Sequence, residues 1–178
     1  NIEDGDRTFI GKGIPDYTFG LTVSLEWKGF DFNLYGAGVG GNQIMNLYYQ
    51  ADGPMRNSLR YVYDNAWTET NKTAKVPSCI SVVNDWTYWS SSGVIFDGGY
   101  FKIKQIQLGY TLPEKLLKKI FIKGVRAYVS FDDFFCFTKN YPGFDPETAT
   151  TGSANGMGLD LGSYPTTRKI VAGINIKF

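Results

Sequence analysis

The sequence predicts an all-β fold of antiparallel strands. Three observations predict it. Apolar and polar residues alternate with period two over several long runs. Rings and turn residues are abundant: aromatics make up 16% of the chain, and there are 21 glycines. The connections between the alternating runs switch regularly between short and long.

The first strand is "DYTFGLTVSLEW", residues 16–27. Tyr17, Phe19, Leu21, Val23, Leu25 and Trp27 fall on one face, and Asp16, Thr18, Gly20, Thr22, Ser24 and Glu26 on the other. Lys28 and Gly29 then link it to "FDFNLYGAGVG", where Phe30, Phe32 and Leu34 alternate with Asp31, Asn33 and Tyr35. Two alternating runs joined by two residues, one of them Gly, predict a tight hairpin. Residues 42–96 form a long excursion with helical spacing around Met55 to Trp67, carried by Met55, Leu59, Val62, Tyr63 and Ala66. Long excursions in compact folds are functional or disordered. The strand pattern resumes at "GYFKIKQIQLGYTLP". Phe101 and Ile103 share one parity, and Ile106, Leu108 and Tyr110 share the other. One inserted bulge residue near Lys104 and Gln105 would produce that slip. Pro113 opens a helical turn with Lys118 and Lys119 near its end. A further strand, "VRAYVSFDDFFCF", sets Val125, Ala127, Val129 and Phe131 against Arg126, Tyr128, Ser130 and Asp132. Residues 139–167 read as loop, being rich in Gly, Pro, Thr and Ser. In the last strand Ile170, Ala172, Ile174, Ile176 and Phe178 alternate with Lys169, Val171, Gly173, Asn175 and Lys177.

These five strands have short connections at 28–29 and 112–122, and long ones at 42–96 and 139–167. One end of the sheet therefore carries tight turns and the other long loops, the asymmetry of outer-membrane barrels with short periplasmic turns and long external loops. Trp27 and Phe30 flank the first turn, where an aromatic girdle would sit. No stretch approaches the about 18 apolar residues of a membrane helix. The mean hydropathy of −0.21 fits a barrel as well as a soluble protein, since only alternate residues face lipid. The competing fold is a soluble β-sandwich whose apolar faces meet in a core. The chain opens at Asn1 without a signal peptide, so either one was removed or the chain is a piece of something longer.

Composition narrows the chemistry. There are no histidines, which excludes Ser-His-Asp and Cys-His catalysis and every His-based metal site. A net charge of +1 gives no electrostatic case for nucleic acid. Cys79 and Cys136 are far apart, lack metal-ligand spacing, and leave their pairing open. Asp132 and Asp133 are neighbours on a strand, so they point to opposite faces and cannot flank one glycosidic bond. Asp145, Glu147 and Asp160 are hard oxygen ligands without EF-hand spacing, and no metal or cofactor site is assigned to them. No catalytic constellation emerges, and the protein is not expected to be an enzyme. The polar parity, Asp16, Thr18, Thr22, Ser24, Glu26, Asp31, Asn33, Arg126, Ser130, Asn175 and Lys177, suits plain lining of a water-filled lumen. Tyr48, Tyr49, Tyr61, Tyr63, Trp67, Trp86, Tyr88 and Trp89 give the first long loop an aromatic surface. Such rings either stack on sugar faces and partner proteins or pack the loop internally. Tyr48, Tyr49, Trp67, Trp86 and Trp89 are the candidate contacts to a substrate or lid.

Four stretches carry a family resemblance. "YFKIKQIQLGYTLP", residues 100–113, resembles Y-L-R-L-K-N-V-x-L-G-Y-x-L-P, a segment of SusC/RagA-like TonB-dependent outer-membrane transporters. "IGKGIPDYTFGLTVSLEWKGFDFNLYGAGVGGNQIMN" resembles that family's I-G-x-x-x-P-x-x-x-x-G hairpin and the G-N after it. "TKNYPGFDPE" resembles its F-T-x-Y-x-G-x-D-P-E loop, and "GLDLGSYPTTRKIVAGINIKF" its G-x-D-x-x-x-Y-P-x-x-R stretch and last strand. The resemblance covers essentially the whole chain. Phe131-Asp132-Asp133 departs from a frequent Gly-Gln-Asn, and Asn140 reads as an insertion before the Tyr-Pro-Gly run.

The resemblance implies that residues 1–178 are the C-terminal segment of a large transmembrane barrel of roughly 22 strands, with the plug and the TonB-contacting segment lying outside this chain. It implies outer-membrane import of glycans or peptides, a SusD-like surface lipoprotein as lid, and energy from the TonB complex. The alternative function is a soluble carbohydrate-binding β-module using the aromatic loop 42–96. The resemblance also implies that Phe178 acts as a terminal signal for the barrel-assembly machinery. Deleting Phe178 should then lower outer-membrane insertion in cells, with Lys177→Gln neutral and refolding into lipid near normal. Unchanged surface abundance of the deletion would remove the signal role.

Overall fold

The computed structural model describes residues 5, 8–47, 60–78, 88, 90–117, 122–148 and 156–178. The chain divides into two compact units. One, the sheet unit, comprises residues 17–39, 100–137 and 166–178; the other, the loop unit, comprises 1–16, 40–99 and 138–165.

The sheet unit holds the five long strands expected from the alternation. They are β1 (Tyr17–Trp27), β2 (Phe30–Gly40), β5 (Tyr100–Thr111), β6 (Gly124–Thr138) and β8 (Lys169–Lys177), in the order β1-β2-β5-β6-β8. Lys28 and Gly29 both have positive φ, 47° and 89°, which is the two-residue turn whose twist matches the strands it joins. A side chain at Gly29 would press on the Thr111 carbonyl 2.8 Å away, so only glycine suits the second turn position. At the same end, Pro113 precedes a single helical turn, α2 (Glu114–Leu117), that buries Leu117.

Register puts like with like. β2 and β5 pair Phe30 with Tyr110, Phe32 with Leu108 and Leu34 with Ile106. β6 and β8 pair Val125 with Ile176, Ala127 with Ile174 and Phe131 with Ile170. The phase slip foreseen near Lys104 is a bulge: Tyr35 faces Gln105, Gly36 faces Ile103, and Lys104 is the extra residue between them. The bulge returns Phe101 and Ile103 to the apolar face. On β6 a second irregularity falls at Asp133, with φ 57°, and its carboxylate lies 3.6 Å from the Lys104 ammonium. The left-handed backbone at Asp133 interrupts the strict alternation assumed for the Asp132-Asp133 pair.

The apolar face of this sheet is open. Tyr17, Phe19, Leu21, Leu25, Trp27, Phe30, Leu108, Ile170, Ile174 and Ile176 are all exposed. Towards the long-loop end its rings form a row. Phe19 stacks on Phe101 at 5.6 Å, and Phe101 on Phe137 at 6.4 Å, with Tyr17 6.2 Å from Phe19. The row crosses β2 where β2 has only glycine. A Cβ at Gly38 would lie 2.5 Å from the Phe19 ring and 2.5 Å from the Tyr100 carbonyl, and one at Gly36 would lie 2.6 Å from the Phe101 ring. Rings from neighbouring strands cover the bare glycine backbone, a device that also fixes register.

The loop unit is ordered by short elements that the alternation did not reveal. β3 (Gln43–Asn46) pairs antiparallel with β4 (Ile95–Asp97) and parallel with β7 (Leu159–Asp160), which lies within the stretch read as loop. Backbone bonds from Gln43 to the Lys12 carbonyl, Met45 to the Gly158 carbonyl and Leu47 to the Asp160 carbonyl bind three distant stretches together. The helix expected around Met55 to Trp67 is present among the described residues as α1 (Arg60–Asn65). Met55 and Leu59 lie outside the described residues. Val62 and Ala66 are buried, whereas Tyr63, assigned to the same face, is 78% exposed. One residue on from Val62 is a rotation of about 100° around a helix, and so short a helix buries only a narrow stripe. Val62 packs with Val76 and Val94, supported by Met45, Leu47, Tyr61 and Tyr88. A second cluster joins Ile44 and Tyr141 with Phe96 against it. The Tyr141 hydroxyl donates to Asp160, whose other carboxylate oxygen accepts from the Gly162 amide at 2.9 Å.

Two substitutions test this packing. Gly38→Ala should cost about 1–3 kcal/mol in urea unfolding of the full-length protein. Gly20→Ala, whose new methyl meets only the Gly36 carbonyl at 3.7 Å, should stay within about 0.5 kcal/mol. Tyr141→Phe leaves one oxygen of the buried Asp160 without its donor, at about 1–3 kcal/mol. The expected result is faster protease cleavage within the loop unit, with urea unfolding of the sheet unit unchanged.

Candidate functional site

The two units present two different polar sites. On the polar face of the sheet unit, Arg126 of β6 reaches across β5 to Asp31 of β2. Its Nε donates to one Asp31 oxygen at 2.8 Å and its Nη2 to the other. The same Nη2 donates to Gln107 Oε1 at 3.1 Å, and the guanidinium lies 5.1 Å from the Tyr128 ring. Gly109 stands directly opposite Asp31, between the partners, and a side chain there would collide with both. Nearby, Ser24 donates to Asn33 at 2.8 Å. Lys102 is 2% exposed and donates to Thr166 Oγ1 at 2.5 Å. Asp31 with Arg126, and Ser24 with Asn33, thus lie on the polar face as linked pairs rather than arranged around a reacting centre. A cleft of about 560 Å³ at the turn end is lined by Glu26, Lys28, Asp31, Asn33, Thr111 and Arg126 among others.

The loop unit contains a larger cleft, of about 730 Å³. Three stretches build it. Tyr61 and Asn65 come from α1, and Lys75 from the segment that returns beside it. That return is fixed by the Val76 amide donating to the Asn65 carbonyl at 3.1 Å and the Trp67 amide donating to the Val76 carbonyl at 2.9 Å. A second wall is Ser92, Gly93, Ile95 and Phe96. Its turn is capped by Ser91, which accepts from the Gly93 amide at 3.1 Å and donates to the Tyr88 carbonyl at 2.7 Å. The third wall is Asn140, Tyr141 and Pro142. Tyr61 and Phe96 meet edge to face at 5.5 Å. Asn65 Nδ2 donates to the Tyr61 carbonyl at 2.9 Å, which turns its Oδ1 away from that bond. Burial pushes the Tyr61 hydroxyl up from its ordinary pKa. Burial, with the neighbouring Tyr61 charge, pushes Tyr88 up to about 12, so both stay neutral and able to donate at physiological pH.

The aromatic candidates divide accordingly. Tyr48, Tyr49, Trp86 and Trp89 lie outside the described residues. Trp67 is described, is 44% exposed, and does not line the cleft. Tyr61 and Tyr88 pack internally, the bland alternative for this loop, although Tyr61 also shows one edge to the cleft. Phe178 follows the end of β8 and is 78% exposed. Cys136 is exposed on β6, and Cys79 lies outside the described residues. Asp145 is buried and its carboxylate accepts from the Glu147 amide at 3.1 Å, a turn-forming role. Among the described residues no group of three acidic or thiol side chains is placed to hold a metal. Sequence reasoning did not find Asn65, Lys75, Phe96 and Tyr141 as neighbours. Their only signal was the Tyr-Pro-Gly run, which contains Tyr141.

No family model matches the chain. It is 36% identical over 184 residues to TonB-dependent receptor P3 of Formosa agariphila, an alignment covering 99% of this chain and 18% of that protein. It is 26% identical over 179 residues to TonB-dependent receptor SusC of Bacteroides thetaiotaomicron, covering 99% of this chain and 16% of that one. Among solved structures, the RagAB peptide importer in its closed-closed state superposes with a TM-score of 0.76 at 28% identity, covering 100% of this chain and 19% of the importer chain. The open-open state gives a TM-score of 0.68 at 27% identity, covering 93% and 17%. These relatives are named as receptors and importers, not enzymes. The chain belongs to the SusC/RagA-like TonB-dependent receptors and spans under a fifth of the length of the relatives it matches.

Proposed function

We propose that residues 1–178 form the C-terminal barrel segment of an outer-membrane nutrient importer, with the loop unit facing the cell exterior and the short turns facing the periplasm. One observation carries this reading. The sheet unit has an open apolar face edged by rings at both ends, and a polar face that is internally paired. From Tyr17 to Trp27 the strand rises about 34 Å, which at a barrel tilt of about 40° is about 26 Å of membrane thickness. That matches the apolar band of an outer-membrane barrel. At the lower end Phe30 and Tyr110 touch at 4.5 Å, and the Lys28 ammonium lies 4.9 Å from the Trp27 ring. Such an end suits an interface, where rings and cations meet head groups.

In this reading β1 and β8 pair with strands of the same protein outside this chain, because an unpaired edge in lipid costs several kcal/mol per backbone group. The whole transporter takes up glycans, or peptides as the RagAB importer does, works with a SusD-like lipoprotein lid, and draws energy through TonB. The loop unit contributes to recognition of substrate or lid. A soluble carbohydrate-binding module is disfavoured by the open apolar face, which such a module would bury.

Cysteine labelling tests the topology. In a full-length protein otherwise free of cysteine, Thr73→Cys should react with an impermeant maleimide on intact cells, and Lys115→Cys only after the envelope is opened. Equal labelling of both would defeat the assignment of sides.

A further inference from the structure

We infer that the cleft of the loop unit selects an acidic oligosaccharide, with Lys75 as the counter-charge; this rests on reading the loop unit as the recognition side of an importer.

Charge is the first observation. None of the described residues lining the cleft is acidic, and Lys75 is the one cation among them. Three other cations of the loop unit have acid partners, and Lys72, which has none among the described residues, lies outside the cleft. Lys12 pairs with Asp16, Arg60 with Asp64 at 3.2 Å, and Lys139 with Asp97 at 3.8 Å. Lys75 has no ion pair among the described residues. It is also not a drifting surface side chain at its root: the backbone bridge between Val76 and Asn65 fixes its Cα beside α1. A lysine so placed, opposite a wall of rings and amides, favours a ligand that brings its own negative charge.

The remaining lining identifies the class. Asn65, Asn140, Ser92 and Tyr61 offer amides and hydroxyls that both donate and accept, as ring hydroxyls do. Tyr61, Phe96 and Tyr141 supply apolar edges for the C–H faces of a sugar. An extended peptide would instead be read by a strand edge. The one strand lining the cleft is β4, three residues long, too short to hold a peptide in register. Asn140 is the residue that stands as an insertion against the family pattern, and it lies in the wall of the cleft.

The test uses full-length transporter in detergent and calorimetric titration with three trisaccharide acids, of galacturonate, mannuronate and glucuronate, each against its methyl ester. At least one acid should bind about tenfold or more tightly than its ester. Lys75→Met should erase that preference, Lys75→Arg should keep it, and Lys72→Met, on the same segment but outside the cleft, should change nothing. The inference is overturned if no acid binds, if acid and ester bind alike, or if Lys75→Met leaves the preference intact. Binding of triglutamate in place of the sugars would also overturn it. None of these results touches the import reading, which fails separately if the labelling pattern shows both sides alike.

Discussion

The ion pair between Arg126 and Asp31 ties three strands in one register. Asp31 on β2 faces Gly109 on β5, and the guanidinium comes from β6 beyond it. A bidentate pair has a narrow geometry. Slipping β2 or β6 by one residue would turn Asp31 or Arg126 to the apolar face and carry Phe30, Phe32 or Ala127 into the polar one. The pair is partly buried, so a slip loses its two-pronged hydrogen bonding and also exchanges the polar and apolar faces. The glycine between Leu108 and Tyr110 then has a physical reason. It leaves the gap through which the pair closes, while Leu108 and Tyr110 on either side keep the opposite face apolar.

Other devices act on the same register from the two ends. At the turn end the Lys28-Gly29 link allows no slack between β1 and β2. Towards the loop end the bulge at Lys104 changes parity, so that Phe101 can join Phe19 over the glycines of β2. The bulge and the glycines are therefore one arrangement. Without the extra residue Phe101 would point to the polar face, and without Gly36 and Gly38 there would be no floor for either ring. Lys104, displaced from the ladder, lies near Asp133, the residue with left-handed backbone on β6. The sheet thus places its two irregular residues where each supplies the other's counter-charge.

How much of this was legible follows from the length of each pattern. Eleven residues of alternation, as in β1 and β2, leave little choice of face, and strand ends fall within a residue of those read from the sequence. The bulge was legible because a parity change survives in the sequence of β5. The loop unit was not. β3 has four residues and β7 two, and the parallel pairing of Met45 with Leu159 spans most of the chain. Runs that short carry no periodicity, and their pairing is set by backbone bonds and by the burial of Ile44 and Val94. The cleft was hidden for a related reason. Its walls come from three stretches whose residue types, Asn, Ser, Lys and Tyr, are ordinary in any loop. Only the fold brings them together.

The division between the units is also a division of physical demands. A strand in lipid must alternate, pair on both edges and keep its register, so nearly every substitution on the sheet meets a neighbour or a solvent it was not built for. The loop unit meets none of those constraints. It has its own apolar clusters around Val62, Val76 and Val94 and around Ile44 and Tyr141, and its own stitching of backbone bonds to Lys12, Gly158 and Asp160. Its stability therefore does not rest on the register of the sheet. Residues such as Lys75 and Asn140, held at the edge of those clusters without contributing buried apolar surface to them, can change identity at small cost to either unit. Specificity is best placed at such positions: the scaffold fixes where the side chain starts, while its chemistry stays open to selection.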